Sequence, residues 1–156
     1  MWIIGFALAG CQRYTRHDSC PIASIYIAPV KNSSTAPRLA ESLTTALFRA
    51  FQEKTSIKVV PYSESVLHLE VEVTEFTQDT SVDDPFDEDE ALAWSQKMVA
   101  RWTLTDTEGN VLSDQSTFSE VDLGKQDSFQ TARDQNMAYL SWRIASTIAG
   151  IVSHAW

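Results

Sequence analysis

Hydrophobic and polar residues first alternate along the chain and then recur at a spacing of three and four. Alternation over residues 24–29 predicts a strand, and apolar residues from Leu39 to Phe51 predict an amphipathic helix that begins near Pro37. Proline suits a first helical turn, because the N–H that it lacks would have no helical acceptor there. A further strand is predicted over residues 58–62. Strand, helix and strand in this order predict two parallel strands joined by a right-handed crossover.

Two longer stretches alternate strictly and predict a long antiparallel hairpin. In the first, residues 66–78, one side carries Leu67, Leu69, Val71 and Val73. In the second, residues 91–105, one side carries Leu92, Trp94, Met98, Ala100, Trp102 and Leu104. The segment between them, residues 79–90, is crowded with acids and has no periodicity, so a mobile, solvated loop is expected.

The end of the chain predicts an edge strand and a long helix. Residues 106–110 form a turn in which Gly109 is available for a positive φ, and the polar stretch 111–120 suits an edge of the sheet. Residues 128–154 then predict a helix with an apolar stripe of Met137, Leu140, Ile144, Ile148, Ile151 and Val152, flanked by Tyr139, Trp142 and Trp156. The predicted fold is α+β: a two-layer sandwich with two amphipathic helices on one face of a mixed four- to five-stranded sheet.

Composition and charge narrow the class of protein. The chain has 156 residues, of which 44% are apolar, and this suits one domain with a hydrophobic core. With 12 basic and 21 acidic residues the formal net charge is -9, so general binding to nucleic acid is not expected. In the predicted hairpin, Lys97 and Arg101 share a solvated face with Glu70 and Glu72. Opposite charges across strands stabilise a sheet by only about 0.2–1 kcal/mol each.

Motifs for catalysis or cofactor binding are missing from the sequence. His17, His68 and His154 have no zinc-ligand spacing, and no GxSxG, P-loop or GxGxxG motif occurs. The acidic cluster at 83–90 lacks the central glycine of a calcium loop, so no metal and no cofactor are predicted. The triplet 32–34 matches a glycosylation sequon, but a turn is the expected role. No nucleophile with a general base is recognisable, and therefore an enzyme is not expected.

The first residues are typical of a secretion signal. An apolar run ends at Leu8-Ala9-Gly10-Cys11, which resembles the lipobox of bacterial lipoproteins. That resemblance implies cleavage before Cys11 and acylation of its thiol. The expected organisation is a signal peptide at 1–10, a lipidated N-terminus and linker at 11–22, and a single domain at 23–156. The alternative interpretation is a buried N-terminal strand with an ordinary core cysteine.

Neighbouring residues refine this interpretation. No Lys or Arg precedes the apolar run, which indicates that the natural start of the signal lies further upstream. In the lipoproteins that this chain resembles, an Asp after the cysteine favours retention in the inner membrane. Here Gln12 follows the cysteine, so the outer membrane is expected. Acylation of Cys11 would leave Cys20 as a lone, packed thiol.

The chain as a whole resembles the LptE-like lipopolysaccharide-assembly lipoproteins. The resemblance rests on the lipobox at Cys11, on the blocks IYIAPVKNSSTAPRLAESLTTALFRAF, VVPYSES, LHLEVEVTEF and WTLTDTEGNVL, and on the closing helix that ends near Trp156. It implies a lipoprotein on the periplasmic face of the outer membrane that plugs the LptD β-barrel. In that position it would assist barrel assembly and the delivery of lipopolysaccharide to the cell surface.

The resemblance also suggests contact residues and leaves alternatives open. Family members can contact lipopolysaccharide through basic residues, and Lys97, Arg101 and Lys125 are the plausible basic positions for this contact in the predicted sheet and its loops. The acidic segment 79–90 could instead pair with basic residues inside a barrel. The alternatives are an LpoB-like activator of a cell-wall synthase and a CsgG-like secretion component, both of which begin with a similar strand, turn and helix.

Overall fold

Two helices cover one face of a six-stranded mixed sheet in the described part of the chain. The computed structural model describes residues 24–84, 87–124 and 129–155, and their side chains over 24–79, 95–122 and 135–155. The elements are β1 (Ser24–Ile27), β2 (Lys31–Asn32), α1 (Leu39–Lys54), β3 (Lys58–Val59), a 3-10 turn (Tyr62–Glu64), β4 (Leu67–Asp84), β5 (Asp87–Asp106), β6 (Val111–Gly124) and α2 (Phe129–His154).

The strand order confirms the predicted start of the fold. The sheet runs β3-β1-β4-β5-β6, and the short β2 pairs with β4 further along the same side as β1. Strand β1 is parallel to both β3 and β4, with Ile25 opposite Val59 on one side and Leu67 on the other. The pairs β4–β5 and β5–β6 are antiparallel, so the second half of the sheet is a meander. The predicted parallel pair and the predicted long hairpin are therefore both present.

The core lies between the sheet and the helices, as the hydrophobic pattern predicts. The apolar stripe of α1 is buried from Leu39 to Phe51, and the central residues of the α2 stripe, Leu140, Ile144 and Ile148, are fully buried. The sheet contributes the predicted inward residues Leu67, Leu69, Val71, Val73, Met98, Ala100, Trp102 and Leu104. Trp102 is 1% exposed, and its indole N–H donates to Thr117 Oγ1 at 3.1 Å. The α+β two-layer sandwich is confirmed.

Helix α1 begins two residues later than Pro37 would suggest. The residue before the helix is Arg38, with a left-handed φ of 64°, and its carbonyl accepts the first helical bond from the Ser42 N–H at 3.1 Å. Asn32 holds the preceding turn, because its Nδ2 donates to the Ala36 carbonyl at 2.7 Å. The Asn32 side chain also accepts from the N–H of Ser34 at 3.0 Å, so the predicted turn role of this triplet is confirmed.

The predicted loop at 79–90 is wrong for the residues that the structure describes. Residues 79–84 and 87–90 continue the two strands of the hairpin, with Asp79 opposite Ser95 and Asp84 opposite Asp87. The physical reason is that the backbone ladder needs only N–H and C=O groups. Two strands can therefore pair through a sequence that has no apolar alternation.

Two further local predictions are corrected. The strict alternation of the first long strand stops at a β-bulge between Val73 and Glu75, after which Phe76 pairs with Met98 and packs against the core. The bulge keeps the carboxylate of Glu75 out of the core. The strand predicted over 58–62 is shorter, because Pro61 has no N–H for a ladder and Tyr62 begins the 3-10 turn.

Helix α2 spans the predicted length and packs along α1. At their contact, Ser42 Oγ donates to Ser141 Oγ at 3.0 Å. Trp142, predicted to flank the core, is half-buried against α1, where Arg49 Cζ and Lys54 Nζ lie 5.0 and 5.2 Å from its ring centroid. Trp156 lies outside the described residues.

Candidate functional site

The sheet face that the helices leave uncovered is the candidate functional surface. We call it the open face and define it by the outward residues of the sheet: Tyr26, Lys31, His68, Glu70, Glu72, Lys97, Arg101, Thr103, Asp114, Ser116 and Phe118. These positions alternate with the buried residues of the same strands, so the strand period itself places polar groups outside.

Arg101 is held on the open face by a partner on the neighbouring strand. Its Nε and Nη2 donate to the two carboxylate oxygens of Asp114 at 3.0 and 2.7 Å. The hydrogen bonds from Arg101 hold the pKa of Asp114 below its ordinary value, and the same pair raises the pKa of Arg101. Glu70 and Glu72 were the predicted partners of Lys97 and Arg101 on this face. Glu72 lies opposite Arg101 in register but makes only a minor electrostatic contribution to the pKa of Arg101. A bidentate geometry favours Asp114.

The other predicted contact residues have different environments. Lys97 places its Nζ 5.7 Å from the ring centroid of Phe118, a side chain that is 66% exposed. Lys31 was not among the predicted contact residues, and its Nζ lies 3.5 Å from Glu70 Oε2. Ser33 Oγ donates to Glu72 Oε1, so both predicted carboxylates have partners on β2 or just after it. Lys125 lies outside the described residues, and the three predicted basic residues are not seen as one cluster.

Three aromatic rings meet at one end of the open face. The rings of Tyr62 and His68 stack at 4.2 Å with 23° between their planes, and Tyr26 meets Tyr62 edge-on at 5.3 Å. Tyr62 is 62% exposed, while His68 Nε2 is buried with no hydrogen-bond partner among the described residues. We call Tyr26, Tyr62 and His68 the aromatic cluster. This cluster was not predicted from the sequence, although Tyr26 and His68 both occupy outward positions of neighbouring strands.

A groove of about 360 Å³ runs beside the aromatic cluster. Its other wall is the turn between β5 and β6, and its floor includes Leu69 and Ala28. In that turn, Asp106 Oδ1 accepts from the N–H groups of Glu108 and Asn110 at 2.8 and 2.9 Å. A bond from the Asn110 side chain to Asp106 Oδ2, together with these backbone bonds, holds the pKa of Asp106 below its ordinary value. Gly109 has a φ of 85°, which confirms the predicted positive φ.

A second groove lies on the opposite side of the molecule, between the helices. It encloses about 410 Å³ and is lined by residues that include Arg38, Arg49 and Trp142. Arg49 is already engaged, since its Nε donates to Glu53 Oε1 at 2.7 Å. The helix layer therefore carries basic groups around one tryptophan, whereas the open face carries basic side chains and carboxylates in equal number.

Several predictions fall partly or wholly outside the described residues. Leu8, Ala9, Gly10 and Cys11 precede the first described residue, as does Cys20, and they stay predictions. Among the side chains that the structure describes, no group of three His, Cys, Asp or Glu could hold a metal ion. The side chains at 83–90 are not among them, so the prediction about metal binding is not tested there. No helix within the described ranges is long and apolar enough to cross a bilayer.

These features define a class of protein: an α+β sandwich domain with one uncovered, charged sheet face and no recognisable catalytic constellation among its described side chains. Comparison with protein families makes this specific. The model of the LptE family, described as lipopolysaccharide-assembly, matches residues 22–150. The chain belongs to the LptE family. No curated protein matches it.

Solved structures support the fold. Lipoprotein B of Nitrosomonas europaea superimposes with a TM-score of 0.62 at 17% identity, with 85% of this chain and 83% of that chain covered. The hypothetical protein CT253 of Chlamydia trachomatis gives 0.62 at 11% identity, with coverages of 84% and 95%. The protein XCC0632 of Xanthomonas campestris gives 0.61 at 13% identity, with 85% and 86% covered. At such identities the likeness is one of fold.

Proposed function

We propose that this chain is an outer-membrane lipoprotein that plugs an LptD-type β-barrel, assists its assembly and so takes part in moving lipopolysaccharide to the cell surface. The observation that carries the proposal is the family match over residues 22–150. We infer that the chain acts by binding and not by catalysis. Residues 23–156 would form the single functional domain.

The two faces of the sandwich support a plug. Large barrels enclose a polar lumen that loops or an inserted domain must close. An uncovered face rich in hydroxyls and in charged side chains of both signs can lie against such a wall without burying apolar side chains in water-lined space. The long β4–β5 hairpin, with acidic residues in both strands near its tip, would extend this polar surface towards basic residues of the barrel.

The anchor belongs to the same proposal. Cleavage between Gly10 and Cys11 would leave a lipidated cysteine at the start of the mature chain. Residues 11–22 would then link it to the domain and span at most about 40 Å when extended. That length allows the domain to enter a barrel lumen while its lipid stays in the inner leaflet of the outer membrane. Mass spectrometry of the mature N-terminus tests this part directly.

Direct contact with lipopolysaccharide through Lys97, Arg101 and Lys125 is a separate part of the proposal. Arg101 already gives two donors to Asp114, so Lys97, which is half-buried beside the Phe118 ring, is the simpler phosphate ligand of the two. We expect Lys97→Ala to weaken lipopolysaccharide binding more than Arg101→Ala does. Binding of the purified glycolipid to each variant, with Lys58→Ala on the far edge strand as a control, measures the difference.

The central test is co-purification. A C-terminally tagged native chain is isolated from detergent-solubilised outer membranes beside its Cys11→Ala variant, and the recovered proteins are identified. We expect a large outer-membrane β-barrel in stoichiometric amount with the native chain and less with Cys11→Ala. Recovery of a cell-wall synthase, or of no barrel, would contradict the proposal.

Crosslinking separates a plug from a protein that docks by one side. A photoreactive residue is introduced at Ser116 on the open face and, in a second chain, at Thr45 on the exposed side of α1; both side chains are exposed. A surrounded plug crosslinks to the same barrel from both positions. Crosslinks from one position alone would show a one-sided contact and refute the plug.

A further inference from the structure

The groove beside the aromatic cluster has the chemistry of a cation site. Its lining includes three carboxylate residues, Glu70, Asp106 and Glu108, and no lysine or arginine. Asp106 is occupied by the turn that it holds together. Glu70 and Glu108 are the acceptors left for a ligand, although Glu108 Oε2 also accepts a long bond of 3.3 Å from Asn110 Nδ2. Lys31 Nζ lies 3.5 Å from Glu70 Oε2, and both side chains are largely exposed. An exposed ion pair of this kind is weak, so Lys31 would compete little with a ligand for Glu70.

The aromatic cluster adds a second and independent feature. Tyr62 presents a largely exposed ring over His68, and a ring face attracts a cation placed within about 6 Å of its centroid. A planar guanidinium suits this site better than an ammonium, because it can stack on the ring and still donate to carboxylates in its plane. His68 also lines the groove, and its buried Nε2 has no hydrogen-bond partner among the described residues.

We propose that this groove binds an arginine side chain presented by an extended segment of a partner protein. At about 360 Å³ it admits one long side chain and its backbone, at the lower end of the range for small-ligand sites. The assignment of the partner rests on the proposed function, in which basic residues of a barrel wall face this domain. The carboxylates and the aromatic ring that would bind an arginine do not depend on which protein presents it.

The test uses the full chain carrying Cys11→Ala and the blocked peptide acetyl-Gly-Arg-Gly-amide, followed by amide chemical shifts in NMR titrations. We expect saturable shifts at Tyr26, Tyr62, His68, Glu70 and Glu108. The matched peptide with citrulline, which has the same shape without the charge, should produce none. Tyr62→Ala and Glu70→Gln should each weaken binding about two- to fivefold.

Two control variants match these changes on the same face. Phe118→Ala removes another exposed aromatic ring, and Glu120→Gln neutralises another exposed carboxylate, both on β6 and away from the groove. Both should bind as the parent chain does. Equal binding of the citrulline peptide, shifts confined to other surfaces, or unchanged affinity of both groove variants would overturn the proposal. Recovery of the barrel without peptide binding would refute this site alone, whereas peptide binding without a barrel would refute only the proposed function.

Discussion

Two glycines predict opposite effects of the same substitution on stability. Gly150 lies inside α2 and Gly109 lies in the turn between β5 and β6, and an added Cβ would meet no atom within 4 Å at either position. An alanine would thus clash with no neighbour at either position, and the backbone conformation alone decides whether the substitution raises or lowers the free energy of unfolding. Gly150→Ala should raise the free energy of unfolding by about 0.8–1.0 kcal/mol, which is the helix preference of alanine over glycine. Gly109→Ala should lower it by about 1 kcal/mol, because its φ of 85° is unfavourable for a residue with a Cβ.

Urea denaturation of the Cys11→Ala chain, followed by far-ultraviolet circular dichroism, measures both effects. With a slope of about 2 kcal/mol per molar urea, the midpoints should move by about 0.5 M in opposite directions. The slope itself should not change, since neither substitution alters the surface exposed on unfolding. A midpoint lowered by Gly150→Ala would refute the reasoning, because it would require a close neighbour at that position.

Three further predictions concern the core and the open face. Trp102→Phe should lower the free energy of unfolding by about 2 kcal/mol, since a buried ring shrinks and the bond to Thr117 is lost; a double-mutant cycle with Thr117→Val, read from urea midpoints, isolates the bond. Gln96→Met should raise it by about 1 kcal/mol, because removing the buried Oε1, which has no partner among the described residues, outweighs the loss of the 3.3 Å bond from Nε2 to Gln78; a lower thermal midpoint would contradict this. Asp114, whose pKa Arg101 lowers, stabilises the fold above its unfolded pKa of about 3.9 and stops doing so as the pH falls through its lower folded value. Asp114→Asn should therefore lower the free energy of unfolding less at about pH 2 than at about pH 7, and urea denaturation at both pH values measures the difference.

Hydrophobic periodicity was enough to predict the main elements of this fold. Residues such as Leu43 and Ile144 lie on a helical stripe, and Val71 and Ala100 lie on alternating strands, because burial on one side imposes the period of the element. The same reasoning predicted the polar edge strand. It failed at 79–90, where the two strands continue through a sequence that has no alternation to detect.

The corrected features depend on contacts between distant parts of the chain. The Arg101 guanidinium donates to both carboxylate oxygens of Asp114 on β6 and not to Glu72 on β4. An alternating pattern shows which residues share a face, but not which of their side chains have the geometry to bond. The bulge beyond Val73 did leave a signal, since strict alternation would have turned Glu75 inward. The aromatic cluster joins β1, the 3-10 turn and β4, and the first of these is far from the others in the sequence.

The position of β1 has a mechanical consequence. This strand lies between β3 and β4, is parallel to both, and begins at Ser24, where the described domain meets the segment that leads from Cys11. Under the proposed anchoring, a pull on the lipid acts along β1 and loads its hydrogen bonds to both neighbours together, in shear. A tether attached to an edge strand and pulled sideways would break such bonds one at a time. Under that proposal, the domain is joined to its anchor through a strand whose hydrogen bonds resist extraction together.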